Sequence, residues 1–310
     1  MKNFFIAEGA AQNPHRQQPQ VVVIGNFDGV HLGHQTLLQR AREWGEKKGL
    51  PPVVVTFDPH PLSVLRPPHL RLFDLEDQQA QFRAHGMAGV VYLPFSRDFS
   101  QLSAAEFLEK ILGPELNPQV LIVGFNFRFG SARGGSVETL KEWGERRGCQ
   151  VEIVQPVQIP EGLVSTSEIR KALAVGDVRR ARALLGRPYY LSGIVEHGEA
   201  RGRGLGFPTA NVHLEKVINP LHGVYATRTW VGDEVFGSVT HMGPLPTFGD
   251  EAVRLESHLF DFSRDIYGQR VRVEFFELLR GVQKFGSLSE LRAQIQRDGD
   301  RAREILGSLT

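Results

Sequence analysis

The sequence predicts an α/β domain built on a parallel sheet, followed by a small antiparallel β-barrel with a terminal helix. Three observations predict it. Apolar, β-branched runs beginning at Val21, Val53, Gly89, Gln119 and Val151 alternate with helical patterns, and strands apolar on both faces belong to a sheet covered on both sides. From Tyr189 the period changes to strand-length segments, at about 191–197, 208–214, 223–231, 234–242, 254–262 and 269–279, a spacing that suits a closed all-β unit. The chain has 310 residues, more than one core usually holds, so two domains are expected. Gly186-Arg187-Pro188 breaks the last helical pattern before the barrel and divides the chain into 1–186 and 187–310.

Composition narrows the partners. The formal net charge is +1, so no global field draws the chain to nucleic acid or to an anionic membrane, and functional positive charge has to be local. With 41% hydrophobic residues the chain can bury full cores. The single cysteine, Cys149, has no internal disulfide partner, which fits a reducing compartment. The opening MKNFFIAEGA has too short an apolar run for a signal peptide, and no stretch approaches the ~20 apolar residues of a membrane span. The expectation is a cytoplasmic protein.

Residues 1–19 read as a strand or loose arm. The next stretch, Val21 to His34 (VVVIGNFDGVHLGH), organises the first domain. Its β-branched run breaks at Gly25, and a helical pattern with Leu37, Leu38, Ala41 and Trp44 on one face starts near His31. Unpaired N–H groups and partial positive charge at a helix start suit a phosphate, and Gly29 and Gly33 permit close approach of the backbone. His31 and His34, three apart on the first turn, would flank that phosphate together. Two imidazoles on one face also fit a metal or a pair of polar helix residues; no third metal partner follows nearby in the sequence.

Val53–Phe57 runs into Asp58-Pro59-His60-Pro61, which puts Asp58 at the carboxyl edge of the sheet, where it either meets a nucleotide, flavin or Mg²⁺ or caps the strand. A helix over about 74–85, the strand 89–93, a capping box from Ser103 and Glu106, and the strand 119–123 follow. After Gly124 comes FNFRFGSARGG, too rich in glycine for ordinary core and suited to a ligand loop, with Asn126 and Arg128 as its polar groups. A helix over 136–147 and the strand 151–154 complete the sheet. In VSTSEIRKAL, Ser165 and Glu168 read as a second capping box, and the hydroxyls of Ser165, Thr166 and Ser167 beside Arg170 either cap the helix or hold a pyrophosphate. Asp177 caps a short basic helix.

Within the barrel, HGEARGRGLGFPTANV contains Gly202-Arg203-Gly204-Leu205-Gly206, but Phe207-Pro208 follows where a dinucleotide fingerprint needs a helix. A loop carrying Arg201 and Arg203, then Thr209 and Asn211, instead suits phosphates and Mg²⁺. In RLESHLFDF, Leu255, Ser257, Leu259 and Asp261 share one face while Glu256, His258, Phe260 and Phe262 share the other. A carboxylate among aromatics is useful where it removes a proton from an alcohol; the bland alternative is a solvated edge residue. Gly232-Asp233 reads as a hairpin turn, and Ser287 with Glu290 caps the final helix.

GNFDGVHLGH resembles the signature of the His-x-Gly-His nucleotidyltransferases. Together with GFNFRFG and the GFPTANV run it is similar to the bacterial bifunctional riboflavin kinase/FAD synthetases, over nearly the whole chain. The resemblance implies a Rossmann-like adenylyltransferase domain and a six-stranded riboflavin-kinase-like barrel that act on riboflavin, FMN, FAD and ATP. In the first domain it places His31 and His34 at the reacting phosphate, with Gly25, Asn26, Phe27, Asp28, Gly29, Asp58, Asn126 and Arg128 around ATP and FMN. Ser165, Thr166, Ser167 and Arg170 fall at the pyrophosphate. In the barrel it places Gly198, Arg201, Gly202, Arg203, Gly206, Phe207 and Pro208 around the nucleotide, Thr209 and Asn211 on Mg²⁺, and Glu256 as the base on the ribityl 5′-hydroxyl.

Two segments depart from the family pattern. Thr166-Ser167 inverts the usual Ser-Thr order, and His241-Met242-Gly243-Pro244-Leu245 replaces two polar side chains near the expected flavin site. The second departure keeps a competing reading open, a single-activity nucleotidyltransferase with a non-catalytic flavin-binding barrel. A nucleic-acid-binding protein lacks the interleaved basic and aromatic surface it would need. The expected state is a monomer or weak homo-oligomer.

Overall fold

The computed structural model describes residues 4–16, 18–198, 207–214, 217–245 and 250–308. Its contacts divide the chain into two compact units, Met1–Val164 and Ser165–Thr310.

The first unit is a six-stranded parallel sheet of β1 (Phe5–Glu8), β2 (Gln20–Ile24), β3 (Pro52–Asp58), β4 (Gly89–Pro94), β5 (Pro118–Gly124) and β6 (Gln150–Val154), in the order β1-β4-β3-β2-β5-β6. Val22 is in register with Val53 on one side and Leu121 on the other. Alternate residues feed two cores. Val22, Ile24, Val53, Val55, Leu121 and Val123 pack with Leu140 and Trp143 on one face; Val21, Val23, Val54 and Ile122 pack with Leu38, Ala41 and Phe82 on the other. Strands apolar on both faces therefore form here because helices cover both. The sixth strand, β1, falls in the segment read as a strand or arm. It is short and lies on the sheet edge, with Ile6 46% exposed, and so lacks the continuous apolar signal of the others.

The helices of this unit are α1 (Leu32–Lys48), α2 (Pro61–Leu65), α3 (Leu75–Ala84), α4 (Ala104–Glu106), α5 (Gly113–Leu116) and α6 (Val137–Arg147). The expected capping box at Ser103 and Glu106 forms, and a π-helical stretch, Phe107–Leu112, joins α4 to α5. Two pieces escaped the sequence reading, α2 and the hairpin β7 (Gln158–Ile159) with β8 (Gly162–Leu163); both are too short to show a period.

The strand order turns at β2. From there β3 and β4 run to one side, β5 and β6 to the other, so the loops leaving the carboxyl ends of β2 and β5 flank a topological switch point. Open α/β sheets bind ligands in that crevice.

The second unit opens with α7 (Thr166–Ala174) and α8 (Val178–Leu185). They group with the barrel although Gly186 punctuates the sequence after them. The reason is the stripe Val178, Ala181, Leu184 and Leu185, buried on α8, together with the ion pair of Arg179 and Glu277 and the stacking of Arg182 over Phe276. The box read at Ser165 is only half formed: its hydroxyl accepts the N–H of Glu168 at 3.3 Å, while the Glu168 carboxylate turns to Lys171 and Arg180. Asp177 caps α8 as expected.

The barrel consists of β9 (Tyr189–Glu196), β10 (Ala210–Leu214), β11 (Gly223–Val231), β12 (Glu234–Leu245), β13 (Asp250–Leu259) and β14 (Arg270–Gly281), closed in the order β10-β13-β12-β11-β14-β9. All its pairs are antiparallel. Part of its interior is a closed set of hydroxyls: Thr227, Thr229, Ser238, Thr240 and Ser257 are fully buried and hydrogen-bond to one another at 2.6–2.9 Å. Each satisfies its neighbour, which removes the desolvation cost of an unpaired buried hydroxyl. The final helix α9 (Leu288–Gly307) lays Ala302, Ile305 and Leu306 on Val224, Ala226, Val239, Phe260 and Phe276. Ser287 accepts the N–H of Glu290, whose carboxylate accepts that of Gly286. Among the described residues no helix is long and apolar enough to cross a membrane.

Candidate functional site

In the first unit the turn between β2 and α1 is tightly built. Phe27, Gly29 and Val30 have φ of 49°, 85° and 40°, a left-handed run that glycine accepts freely and a β-branched residue resists. Such a conformation persists only where its surroundings over-determine it. Phe27 is fully buried against Phe82, Val30 is 1% exposed, and the backbone carbonyls are held from outside the turn. Gln78 donates to the carbonyls of Asn26 and Phe27, Thr56 donates to Asn26, and Gln35 donates to Val30. Tyr92 donates in turn to Gln78 at 3.2 Å, and burial pushes its phenol up to about 12, so it stays a neutral donor. The sequence reading missed Gln78, Thr56 and Tyr92. Their only sequence signal is a polar residue inside an apolar pattern.

His31 caps α1. Its Nδ1 accepts the backbone N–H of His34 at 3.2 Å, which leaves the proton of a neutral ring on Nε2. The His34 ring stacks on it, with centroids 3.7 Å apart and planes 13° apart, and is also against Phe27. A Cβ at Gly33 would come within 3.2 Å of the His31 ring, so the glycine between the histidines makes room for the stack. The capping bond thus does two jobs: it starts the helix and fixes which imidazole nitrogen carries hydrogen.

Asp28 ties the turn to a second loop. Asp28 is 5% exposed, and its carboxylate accepts the N–H of Leu72, which lies in the loop before α3, at 2.7 Å. Ligand atoms of Asp28, His60 and His69 lie within 4.8 Å of one another, close enough for a metal. The donor chemistry opposes one. His60 caps α2 by accepting the N–H of Leu62 at its Nδ1, so a neutral ring keeps its proton on Nε2 and has no second lone pair for an ion. Asp58 pairs with Arg71 at 2.6 Å, and Arg71 also reaches the carbonyl of Phe57. Asn126 and Arg128 are exposed on the loop after β5, on the far side of the switch point from the histidine turn, while Phe127 and Phe129 anchor that loop by stacking. Gly25 lies 3.3 Å, by its absent Cβ, from the Phe27 ring.

Ser165, Thr166, Ser167 and Arg170 stand at the start of α7 in the second unit, where Ser165 is the N-cap.

In the barrel, strand register brings together residues far apart in sequence. Asn211 is the ladder partner of Glu256, Glu256 is the partner of His241, and the three form a row across β10, β13 and β12. The alternation read in RLESHLFDF holds for Leu255, Ser257 and Leu259, which face inward; Glu256 and His258 take the opposite face. It fails at Asp261, where β13 has ended: φ is 56° and the carboxylate pairs with Arg303. Gly198 approaches the row closely. A Cβ there would be 2.2 Å from Asn211 Nδ2 and 2.6 Å from Oδ1. His241 is held neutral, its pKa pushed down to about 4 by burial and by the nearby Arg280 and His222. Arg201, Gly202, Arg203 and Gly206, and positions 246–249 just after the departing segment, lie outside the described residues.

One chain thus joins a strained turn at the switch point of a parallel sheet to a barrel on which a carboxylate stands beside an amide. That combination defines a two-domain, nucleotide-dependent transferase. Sequence models of two families match, FAD synthetase over residues 13–168 and riboflavin kinase over residues 185–306. The chain belongs to the family of bifunctional riboflavin kinase/FMN adenylyltransferases. A relative of that description from Bacillus subtilis is 37% identical over 318 residues, covering 100% of this chain and 99% of its own. One from Escherichia coli K12 is 38% identical over 297 residues, covering 94% and 95%. A crystal structure from Streptococcus pneumoniae, described as a macrolide-efflux protein, matches with a TM-score of 0.85 at 33% identity, covering 97% of this chain and 98% of that one.

Proposed function

We propose that this chain phosphorylates riboflavin to FMN in the barrel and adenylylates FMN to FAD in the first unit, using ATP in both steps. The observation that carries the kinase half is the pairing of Asn211 with Glu256 across β10 and β13, which sets an amide for the nucleotide beside a base for the alcohol. Glu256 takes the proton of the ribityl 5′-hydroxyl, the oxygen attacks the γ-phosphorus, and ADP leaves. Thr209 and Asn211 offer a hydroxyl and an amide oxygen, hard donors that fit Mg²⁺, and Gly198 leaves the space a Cβ would take from the amide. Mg²⁺, when bound with ATP, neutralises charge on the phosphates. Gly198, Arg201, Gly202, Arg203, Gly206, Phe207 and Pro208 are assigned to binding ATP and flavin.

In the first unit the FMN phosphate is already a nucleophile, so the task is positioning and charge stabilisation rather than proton removal. It attacks the α-phosphorus of ATP and pyrophosphate leaves. The Nε2–H of His31, aimed by the capping bond, and the N–H groups at the start of α1 donate to the reacting phosphate, with His34 holding the His31 ring by stacking. Asn126 and Arg128 serve the adenylyl part. Ser165, Thr166, Ser167 and Arg170 hold the departing pyrophosphate, and the adenylyltransferase function is assigned to 1–186, the kinase to 187–310. Asp28 and Asp58 act by fixing loops through Leu72 and Arg71. The protein works in the cytoplasm, without nucleic acid or membrane, as a monomer or weak homo-oligomer.

Incubating the full chain with riboflavin, ATP and Mg²⁺ and separating the flavins tests both halves. FMN followed by FAD is expected. FAD from supplied FMN without any FMN from riboflavin would instead support the single-activity reading.

A further inference from the structure

The segment that carries Thr209 enters the barrel with little support of its own. The β10–β13 ladder begins at Ala210 with Ser257, so Phe207, Pro208 and Thr209 precede any regular strand. Pro208 has no N–H to give a ladder. Its carbonyl is instead met by a side chain: His258 Nδ1 lies 2.7 Å from it. A carbonyl only accepts, so this Nδ1 carries the hydrogen. The same ring receives Phe207 edge-on, with centroids 5.5 Å apart and planes 85° apart. His258 thus grips both residues that lead into Thr209.

We propose that His258 is a positioning residue of the kinase site, setting the orientation of Thr209 toward Mg·ATP. The inference rests on the kinase reading of the barrel. The Pro208 carbonyl and the Thr209 nitrogen belong to one planar peptide, so fixing the carbonyl fixes the plane from which the Thr209 side chain departs. His258 is two residues from Glu256 on the same face of β13, and a single strand therefore presents the base to the alcohol and holds the nucleotide segment in place. A shift of one moves the other by no more than a strand step, which keeps the two substrates in a common frame.

Steady-state kinetics of the full chain decide it, with riboflavin and Mg·ATP varied in turn. Loss of one such hydrogen bond in His258→Ala is expected to raise KM for Mg·ATP about tenfold, with kcat and the KM for riboflavin within about twofold. Asn places its amide nitrogen where His has Nδ1, and Gln places its own nearer Nε2, so His258→Asn should restore the KM and His258→Gln should not. A merely structural role would instead move the melting temperature and both KM values together and would not distinguish Asn from Gln. An unchanged KM for Mg·ATP in both His258→Ala and His258→Gln, with the wild-type chain active, overturns the inference alone. A wild-type chain that makes no FMN overturns the kinase reading and the inference with it.

Discussion

Asn211 and Glu256 stand opposite each other across the β10–β13 ladder, although they lie 45 positions apart in the chain. Cross-strand partners are neighbours within about 5.5 Å on the same face of a sheet. The ladder therefore does what a sequence motif cannot. It makes a permanent pair of an amide from one signature and a carboxylate from another.

If that carboxylate takes the hydroxyl proton, Glu256→Gln keeps the shape and loses the base. Riboflavin phosphorylation should fall roughly 10²- to 10⁴-fold in kcat. Conversion of supplied FMN to FAD should continue near the wild-type rate, since it belongs to the other unit. Near-normal phosphorylation by the variant would remove Glu256 from the mechanism.

His31 has two roles that substitution can separate. Asn is a good N-cap and can accept the His34 N–H, but it has no Nε2–H to offer a phosphate. His31→Asn is therefore expected to lose FMN adenylylation by a factor on the order of 10² or more, with only a small change in melting temperature. His31→Ala should lose the same activity and also about 0.5–2 kcal/mol of stability with the cap. Equal melting temperatures for the two variants would show that the capping bond contributes nothing.

At Gly198 the obstacle to a side chain is the far end of Asn211, not backbone. Gly198→Ala should fold normally, because the amide can swing aside, yet swinging it aside removes it from its place next to Glu256. We expect the KM of the kinase for Mg·ATP to rise about tenfold, the worth of one good hydrogen bond, with adenylylation unchanged. Titration calorimetry with a non-hydrolysable ATP analogue checks the same effect without turnover.

Much of this arrangement was legible in the sequence because its signals are local. A β-branched run cut by Gly25 marks a buried strand and its exit, and His31 at the start of the helical pattern marks the N-terminus of α1. The alternation in RLESHLFDF separates Glu256 from the interior without any tertiary information. What stayed hidden depends on pairings between distant segments. Gln78 shows no reason to be special until Asn26 and Phe27 present their carbonyls to it, and His258 looks like any strand histidine until Pro208 arrives. The packing of α8 was hidden in the same way: its apolar stripe lies on β9 and β14, a contact that no local pattern announces.

His241 links stability of the barrel to pH, and its sign can be worked out. The free imidazole has a pKa of 6.5, and burial with Arg280 and His222 nearby brings it down to about 4 in the fold. Between those values the unfolded chain binds a proton that the folded chain refuses, so stability is complete above pH 6.5 and declines as the pH falls toward 4. The shift corresponds to at most about 3 kcal/mol, reached only below pH 4. Its Nδ1 has no hydrogen-bond partner among the described residues, so no internal contact offsets the loss on protonation. Protection factors of the β11 and β12 amides, that is, exchange rates corrected for the intrinsic pH dependence of amide exchange, should fall between pH 6.5 and 4.5 in the wild-type chain and fall less in His241→Gln, where that proton has no site. Equal pH slopes in the two proteins would mean that His241 is already solvated in the fold. The same burial bears on the chemistry: an uncharged ring across the ladder from Glu256 at neutral pH supplies no cation to weaken that carboxylate as a base.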